Sequence, residues 1–598
     1  MASTFLVTSC TTISYPSKFS YKPSPIFIRA KPIDNYYKVN CKINNSIINH
    51  DDEGKYFPGK LLDRRSVLLG LGGLTNFIGV ANKPFALGQP VPPPDLSTCS
   101  TASLPDGSNV PFTCCPPLPK DLSNIPTYKL PNVSKVKIRP AAHNVTQDYI
   151  DKYSTAIQRM KSLDEDDPLN FMQQANIHCA YCNTCYEELG FPGVPLQVHC
   201  SWLFFPFHRW YLYFFERILG SLIDDDTFAL PFWNYDSQVG MQMPSLYNVV
   251  NSPLYDPNRN QNHLPPNVID LGFTTIDVDA SDEQKINNNL TMMYRQMLTN
   301  APCPQLFFGN PIRGGEQPIC GMGTIEYIPH NSVHRWVGNP NNKFRENMGT
   351  FYSAARDPIF YAHHANIDRM WTIWKTLGSK RRDFTDRDWL DSAFLFYDEN
   401  RTLVKVTVQD CINNEKLGYK YEDVPIPWRN FRPVRRKQKV KKNAKNVKPA
   451  TKIFPSKLNK TLPFSIQRPK ISRTKEDKNI EEELLVFNNM KFDENECIRF
   501  DVFINEDEGV KAKVLDRAEY VGSFANLPHM HDGAGGGGQN TTTTSTSTPA
   551  TMSLAITEIL EDLGLEDEEE IVVVLVPHSG GKEITIGSVE ISTLACAN

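Results

Sequence analysis

The sequence predicts a mainly α-helical core with long surface loops, followed by a separate all-β domain. Three observations carry this. Apolar residues recur at helical spacing over residues 149–160, 207–222 and 357–374. The chain between these helices is rich in Asn, Pro and Gly, the residues of loops and turns. Residues 482–592 alternate apolar and polar in LLVFNN, IRFDVFI, IVVVLVP and ITIGSVEI, the period of half-buried strands. At 598 residues the chain can hold more than one hydrophobic core. Its net charge of −4 is too small to point to a nucleic acid partner.

Residues 1–86 read as targeting sequence. The first fifty are rich in Ser, Thr, Asn and Tyr, with six Lys or Arg and one acid, Asp34, the composition of an organelle transit peptide. Arg64-Arg65 then precedes a short, Gly-interrupted apolar run ending near Ala86, the form of a twin-arginine export signal. That run is too short and too Gly-rich for a stable membrane span. The two signals in series place the protein in the thylakoid lumen of a plastid, with a mature start near Leu87.

Residues 87–119 are Pro-rich and extended. They carry Cys99, Cys114 and Cys115, and in a non-reducing compartment disulfides would tie such a segment down, with Cys179 a natural partner. The helical core runs over 87–380, with Pro206 in the first turn of its helix. One further helix, 282–298, interrupts the loops of 236–329. Residues 381–430 suggest short strands and complete the core. Residues 431–480 contain RRKQKVKK and, lacking periodicity, read as a solvated basic linker. The β domain is placed at 481–598, with a low-complexity Gly/Thr loop at 533–552.

Two stretches concentrate potential metal ligands. HCAYCNTCYEELGFPGVPLQVHCSWLFFPFHR holds His178, His199 and His208, and PHNSVHRW with DPIFYAHHANIDRMW holds His330, His334, His363 and His364. Together they contain seven of the thirteen histidines. His330 and His334, four apart, share a helix face. His363 and His364 are adjacent, about 100° apart on a helix, so only one should ligate. His199 and His208 are nine apart and converge only if His199 lies in the loop before the helix, a position Cys182 could restrain. Neutral imidazoles suit copper, iron, nickel or zinc, and spacing does not choose among them. Three imidazoles per metal leave an open face, and two such triads facing each other could hold a diatomic molecule.

These stretches, with Asp388-Trp389-Leu390 and the RFDVF of residues 499–503, resemble the plant polyphenol oxidases, the plastid tyrosinase and catechol oxidase family, over nearly the whole chain. The resemblance implies a four-helix bundle holding a dicopper site and a sandwich-like β domain that acts as a lid. It assigns His178, His199 and His208 to the first copper and His330, His334 and His364 to the second. It implies a thioether between Cys182 and His199, and disulfides Cys99–Cys114 and Cys115–Cys179. Glu326 and Asn331 would hold a water near the second copper, and Phe351 would gate it. The implied reaction is O2-dependent oxidation of o-diphenols to o-quinones, with some ortho-hydroxylation of monophenols. Processing proteases are implied partners, and Leu527, after Phe524, is the residue to examine as a plug of the phenol pocket. Cys185, Cys200, Cys303 and Cys320 depart from the family pattern; Cys303 and Cys320 bracket a Pro/Gly loop and could close an extra disulfide. The alternatives are a specialised phenol hydroxylase or aurone-forming enzyme of the same family, a dicopper oxygen carrier, a zinc hydrolase, or a binding protein with a dead site.

Overall fold

The histidines lie within a core of helices. In the core, α1 (Gln147–Lys161) is capped by Thr146, whose Oγ1 accepts from Tyr149 N at 3.3 Å. In α2 (Phe171–Cys182) the cap is Asn170, which accepts from Met172 N at 2.8 Å. The next helices are α3 (Phe204–Leu222), α4 (Asp282–Tyr294), α5 (Ser332–Val337) and α6 (Ile359–Trp374). Every residue of α3 from Phe204 to Glu216 is buried, as suits a helix that is apolar all round. It packs along α6, and a buried ion pair between Arg209 and Asp368 joins the two. Asp368 also accepts from the hydroxyls of Tyr419 and Tyr421, and Arg209 lies 3.5 Å over the Trp371 ring. Buried charges are tolerable when their remaining hydrogen-bonding capacity is met in this way. The pair matters to the site because Arg209 follows His208 and Asp368 lies one turn after His364.

A computed structural model describes residues 88–596 apart from 103–112, 274–278, 379, 436–446, 494–495, 507–513, 529–548 and 581–583. The targeting segments of residues 1–86, the basic run after Arg435 and most of the Gly/Thr loop lie outside the described residues. No helix among the described residues is long and apolar enough to cross a membrane.

Between core and β domain, where short strands were expected over residues 381–430, β1 (Ala393–Tyr397) and β2 (Leu403–Thr407) pair as an antiparallel hairpin. The β domain contains β3 (Leu462–Gln467), β4 (Glu481–Met490), β5 (Arg499–Ile504), β6 (Tyr520–Ala525), β7 (Ala550–Ala555), β8 (Glu570–Ser579) and β9 (Ser588–Ala595). One antiparallel sheet has the order β6-β5-β8-β3 and the other β7-β4-β9. Phe487 of β4 and Phe500 of β5 bring their rings to 6.1 Å between the sheets.

Two boundaries differ from the sequence reading. The segment 431–480 is not all linker: β3 lies inside it and pairs with β8 from Leu462–Leu575 to Gln467–Glu570. It also holds α7 (Lys475–Ile480), closed by a capping box between Thr474 and Asp477. Pro463 and the surrounding lysines hide the alternation of β3, which only pairing with the apolar β8 stabilises. The helix expected over 282–298 is α-helical to Tyr294 and then widens into a π turn, Arg295–Thr299.

Candidate metal centre

Helix α2 presents His178 and Cys182 one turn apart. His199 precedes α3 in irregular chain, its backbone N donating to Gln197 Oε1 at 2.9 Å. Helix α3 supplies His208. The possible ligand atoms of His178, Cys182, His199 and His208 all lie within 4.8 Å of one another. A second group, also within 4.8 Å, joins His330 from the π turn Glu326–Asn331, His334 from α5, and both His363 and His364 from α6. The His208 and His364 rings stack at 4.2 Å and 11°, so the two groups meet.

Backbone and side-chain acceptors fix the imidazole tautomers. Nδ1 of His208 donates to Phe204 O at 2.7 Å, that of His330 to Asn331 Oδ1 at 2.9 Å, and that of His334 to Met348 O at 2.9 Å. Each Nε2 is then a bare lone pair. The Nε2 atoms of His208 and His330 are buried without a hydrogen-bond partner. Nε2 of His334 lies 3.3 Å from Nε2 of His364, so one cation could be reached by both rings. Burial holds His208 down to about 3 and His334 to about 4, and His178, His330 and His364 well below the ordinary imidazole range. Neutral, oriented imidazoles with converging lone pairs fit metal ions, and outer acceptors on Nδ1 are the usual means of orienting such ligands.

Three cysteines flank the first group, and the structure separates them. Cys182 lies among the ligand atoms. Cys185 turns its sulfur to the Cys179 and Asn183 carbonyls, and Cys200 pairs with Cys320. That third disulfide corrects the Cys303–Cys320 possibility, and it ties the His199 loop to the chain leading into Glu326. The other two disulfides also differ from expectation: they are Cys99–Cys115 and Cys114–Cys179, not Cys99–Cys114 and Cys115–Cys179. An antiparallel bridge pairs Thr101 with Thr113, a register that sets Cys99 opposite Cys115. Cys114 then points to the other face of its strand, toward α2.

Glu326 is buried and accepts from Cys200 N at 2.8 Å; burial pushes its carboxyl up to about 8. Asn331, besides accepting from His330, donates from Nδ2 to Ala525 O at 2.9 Å, so its amide is engaged by the β domain. Phe351, expected over the second metal, has its ring 4.3 Å from that of His199 and 6.4 Å from that of His178, against the first group. Phe360 was not anticipated. Its ring is 4.2 Å from His364 and 4.7 Å from His178, making it an apolar wall to both groups. Its signal was present, since it precedes His364 by one helical turn.

The β domain reaches the second group at several further points. Arg335 donates to Ile498 O at 3.3 Å and Asn526 O at 3.5 Å, and Tyr327 donates to Thr551 O at 3.0 Å. Thr350 donates to Pro528 O at 3.4 Å. Leu527, between two of these acceptors, is 1% exposed.

Comparison with known proteins accounts for the whole described chain. Residues 168–377 match the common central domain of tyrosinase, 383–434 the polyphenol oxidase middle domain, and 454–593 the chloroplastic polyphenol oxidase C-terminal domain. The chain is 50% identical to polyphenol oxidase E, chloroplastic, of Solanum lycopersicum, over 98% of each chain. It is 50% identical to catechol oxidase B, chloroplastic, of Solanum tuberosum, over 100% of each. Among solved structures it resembles latent apple tyrosinase, at 46% identity and TM-score 0.73, over 79% of this chain and 100% of that one. It also resembles a latent aurone synthase, at 40% identity and TM-score 0.79, over 85% of this chain and 100% of the other. Two buried histidine groups inside a tyrosinase domain, followed by that family's own middle and C-terminal domains, make this chain a member of the plant polyphenol oxidases, the dicopper enzymes of the tyrosinase and catechol oxidase type.

Proposed function

We propose that the chain oxidises o-diphenols to o-quinones with O2, and hydroxylates some monophenols at the ortho position. Two coppers would be held by His178, His199 and His208 and by His330, His334 and His364. The observation that carries this is the contact of the two imidazole groups at the His208–His364 stack. Bound copper ions would supply the capacity to take two electrons from a catechol and pass them to O2. The chain supplies the rest. Burial keeps the imidazoles neutral and the Nδ1 acceptors keep them aimed, while Phe360 and Phe351 close the groups off from bulk water and offer faces for a phenol ring. Glu326 with Asn331 would hold a water that takes the proton of a docking monophenol, a task open to the Asn331 amide only once Ala525 withdraws.

The β domain would keep the enzyme latent. Its contacts with Asn331, Arg335 and Thr350 support this reading, because all three lie beside histidines or beside Phe351. The relatives named chloroplastic place the protein in a plastid; the twin-arginine element supports the thylakoid lumen. The likeness to aurone synthase favours a second reading, a specialised biosynthetic oxidase of the same chemistry. The test is oxygen uptake by the copper-loaded chain on a panel of mono- and diphenols, before and after cleavage within residues 436–446. Uptake with catechol after cleavage is expected. No uptake on any phenol, with both coppers bound, would overturn the proposal.

A further inference from the structure

Most buried apolar residues of the core and the β domain belong to one continuous cluster, but a small separate cluster spans the two. From the core it takes Cys303, at the N-cap of the short helix Pro304–Phe307, and Leu306 within that helix; from the β domain it takes Leu484, Val486, Ala555 and Cys596. Cys303 and Cys596 are each 1% exposed and lie in this one small cluster. Neither is in a disulfide. Cys596 is held at the end of β9 by its backbone N donating to Ile480 O at 3.0 Å. The two thiols are 293 positions apart in sequence and belong to different domains. Two cysteines brought together in this way, in a protein that already pairs three other sets, have no role in the histidine site.

We propose that Cys303 and Cys596 form a redox-dependent covalent latch between the catalytic core and the β domain. Cys596, at the end of β9, is the thiol that local opening of that strand end uncovers first. Its thiolate attacks one sulfur of a low-molecular-weight disulfide, forming a mixed disulfide and expelling one thiolate. The Cys303 thiolate then attacks the Cys596 sulfur and expels the second. The protein loses two electrons and two protons, and the oxidant becomes two thiols. The exchange occurs during folding or on local opening of the end of β9, since both thiols are otherwise buried. The consequence goes beyond the lid reading: cleavage of the linker leaves the β domain attached until the latch is reduced.

The test uses the full described chain with a protease site placed within residues 436–446. The chain is treated with oxidised glutathione, cut, denatured with alkylating agent, and run on a gel without reductant. A single full-length band is expected, resolving into two on reduction, and peptide mapping should join Cys303 to Cys596. Cys497 is the only other cysteine between residue 454 and the C-terminus, so Cys596→Ser should give two bands under both conditions, and Cys303→Ser should do the same. Two bands without reductant in the unsubstituted chain would overturn the proposal. So would recovery of both cysteines separately alkylated or glutathionylated.

Discussion

The Asn331 side-chain amide donates to the carbonyl of Ala525 at 2.9 Å, while its oxygen accepts from His330. One residue therefore joins a metal-facing imidazole to the last residue of strand β6. Replacing Asn331 by Asp would keep an oxygen for His330 and set a second oxygen against the Ala525 carbonyl. A lost hydrogen bond costs about 0.5–1.5 kcal/mol, and repulsion adds to it. The uncut Asn331→Asp chain should then oxidise catechol roughly 3- to 10-fold faster than the uncut parent, by the usual relation between free energy and rate. The cut chains should show no such gain. Equal gains in both would place the effect at the metal instead of at the domain contact.

His363 and His364 both stand within the second group, so distance alone does not divide them. Their neighbours do. His364 stacks on His208 and faces His334 through Nε2, whereas the His363 ring lies 5.6 Å from Tyr235 and 5.5 Å from His330. His364→Ala should bind one copper per chain and His363→Ala two, by metal analysis after dialysis. The reverse stoichiometry would exchange their roles.

Much of the centre was legible because metal chemistry forces short-range patterns: an i, i+4 pair at His330 and His334, and a loop histidine at His199 followed by a helix opening near Pro206. The helices were legible because α3 and α6 are long and strongly periodic. What could not be read were relations set by distant pairing. Cys114 and Cys115 are adjacent, so only the Thr101–Thr113 register decides which faces Cys99. Strand β3 contains a proline and gains its identity from β8. The engagement of Asn331 by Ala525 joins residues 194 apart in sequence and has no local signal.

Of the three cysteines near the first group, Cys182 alone keeps its sulfur among the ligand atoms. The copper-loaded chain should yield a cross-linked peptide containing Cys182 and His199, and metal-free protein should yield Cys182 alkylated and free. Mass spectrometry of denatured digests decides this. A cross-link from Cys185 would mean that α2 unwinds at its end when copper binds.

Acid should weaken the β domain through Asp501. Burial opposes its charged form. Arg499 at 2.8 Å, His578 at 2.6 Å and the Ser523 hydroxyl outweigh that and hold the carboxyl well below its ordinary range. A depressed carboxyl stabilises the fold at pH above its unfolded value, near ~3.9, and that stability is lost as pH falls further, at about 1.4 kcal/mol for each pK unit of depression. Asp270 of the core, which also faces Arg499, works in the opposite sense, because burial raises it. The melting temperature of the β domain should therefore fall between about pH 4 and pH 2. Asp501→Asn should lower it at pH 7 and flatten the acid slope. Scanning calorimetry across that range would expose an unchanged slope, which would assign acid sensitivity to other groups.

Leu527 sits between Asn526, whose carbonyl accepts from Arg335, and Pro528, whose carbonyl accepts from Thr350. Arg335 follows His334 and Thr350 precedes Phe351, so the chain carrying Leu527 crosses between a histidine of the second group and the aromatic ring against the first. A leucine at that crossing either plugs the phenol pocket or packs within the β domain, and Leu527→Ala distinguishes the two. If it plugs the pocket, shortening it opens a gap of the volume of the three carbons removed while the domain stays in place. The uncut variant should then oxidise catechol faster, bulky diphenols should gain little, and the detergent concentration needed for full activation should be unchanged. If it is β-domain core, the cavity should destabilise that domain by about 2–5 kcal/mol. Small and bulky substrates would then gain together, and less detergent would be needed. Initial rates for catechol and for a diphenol with a large ring substituent, measured on uncut protein across a detergent titration, separate these outcomes.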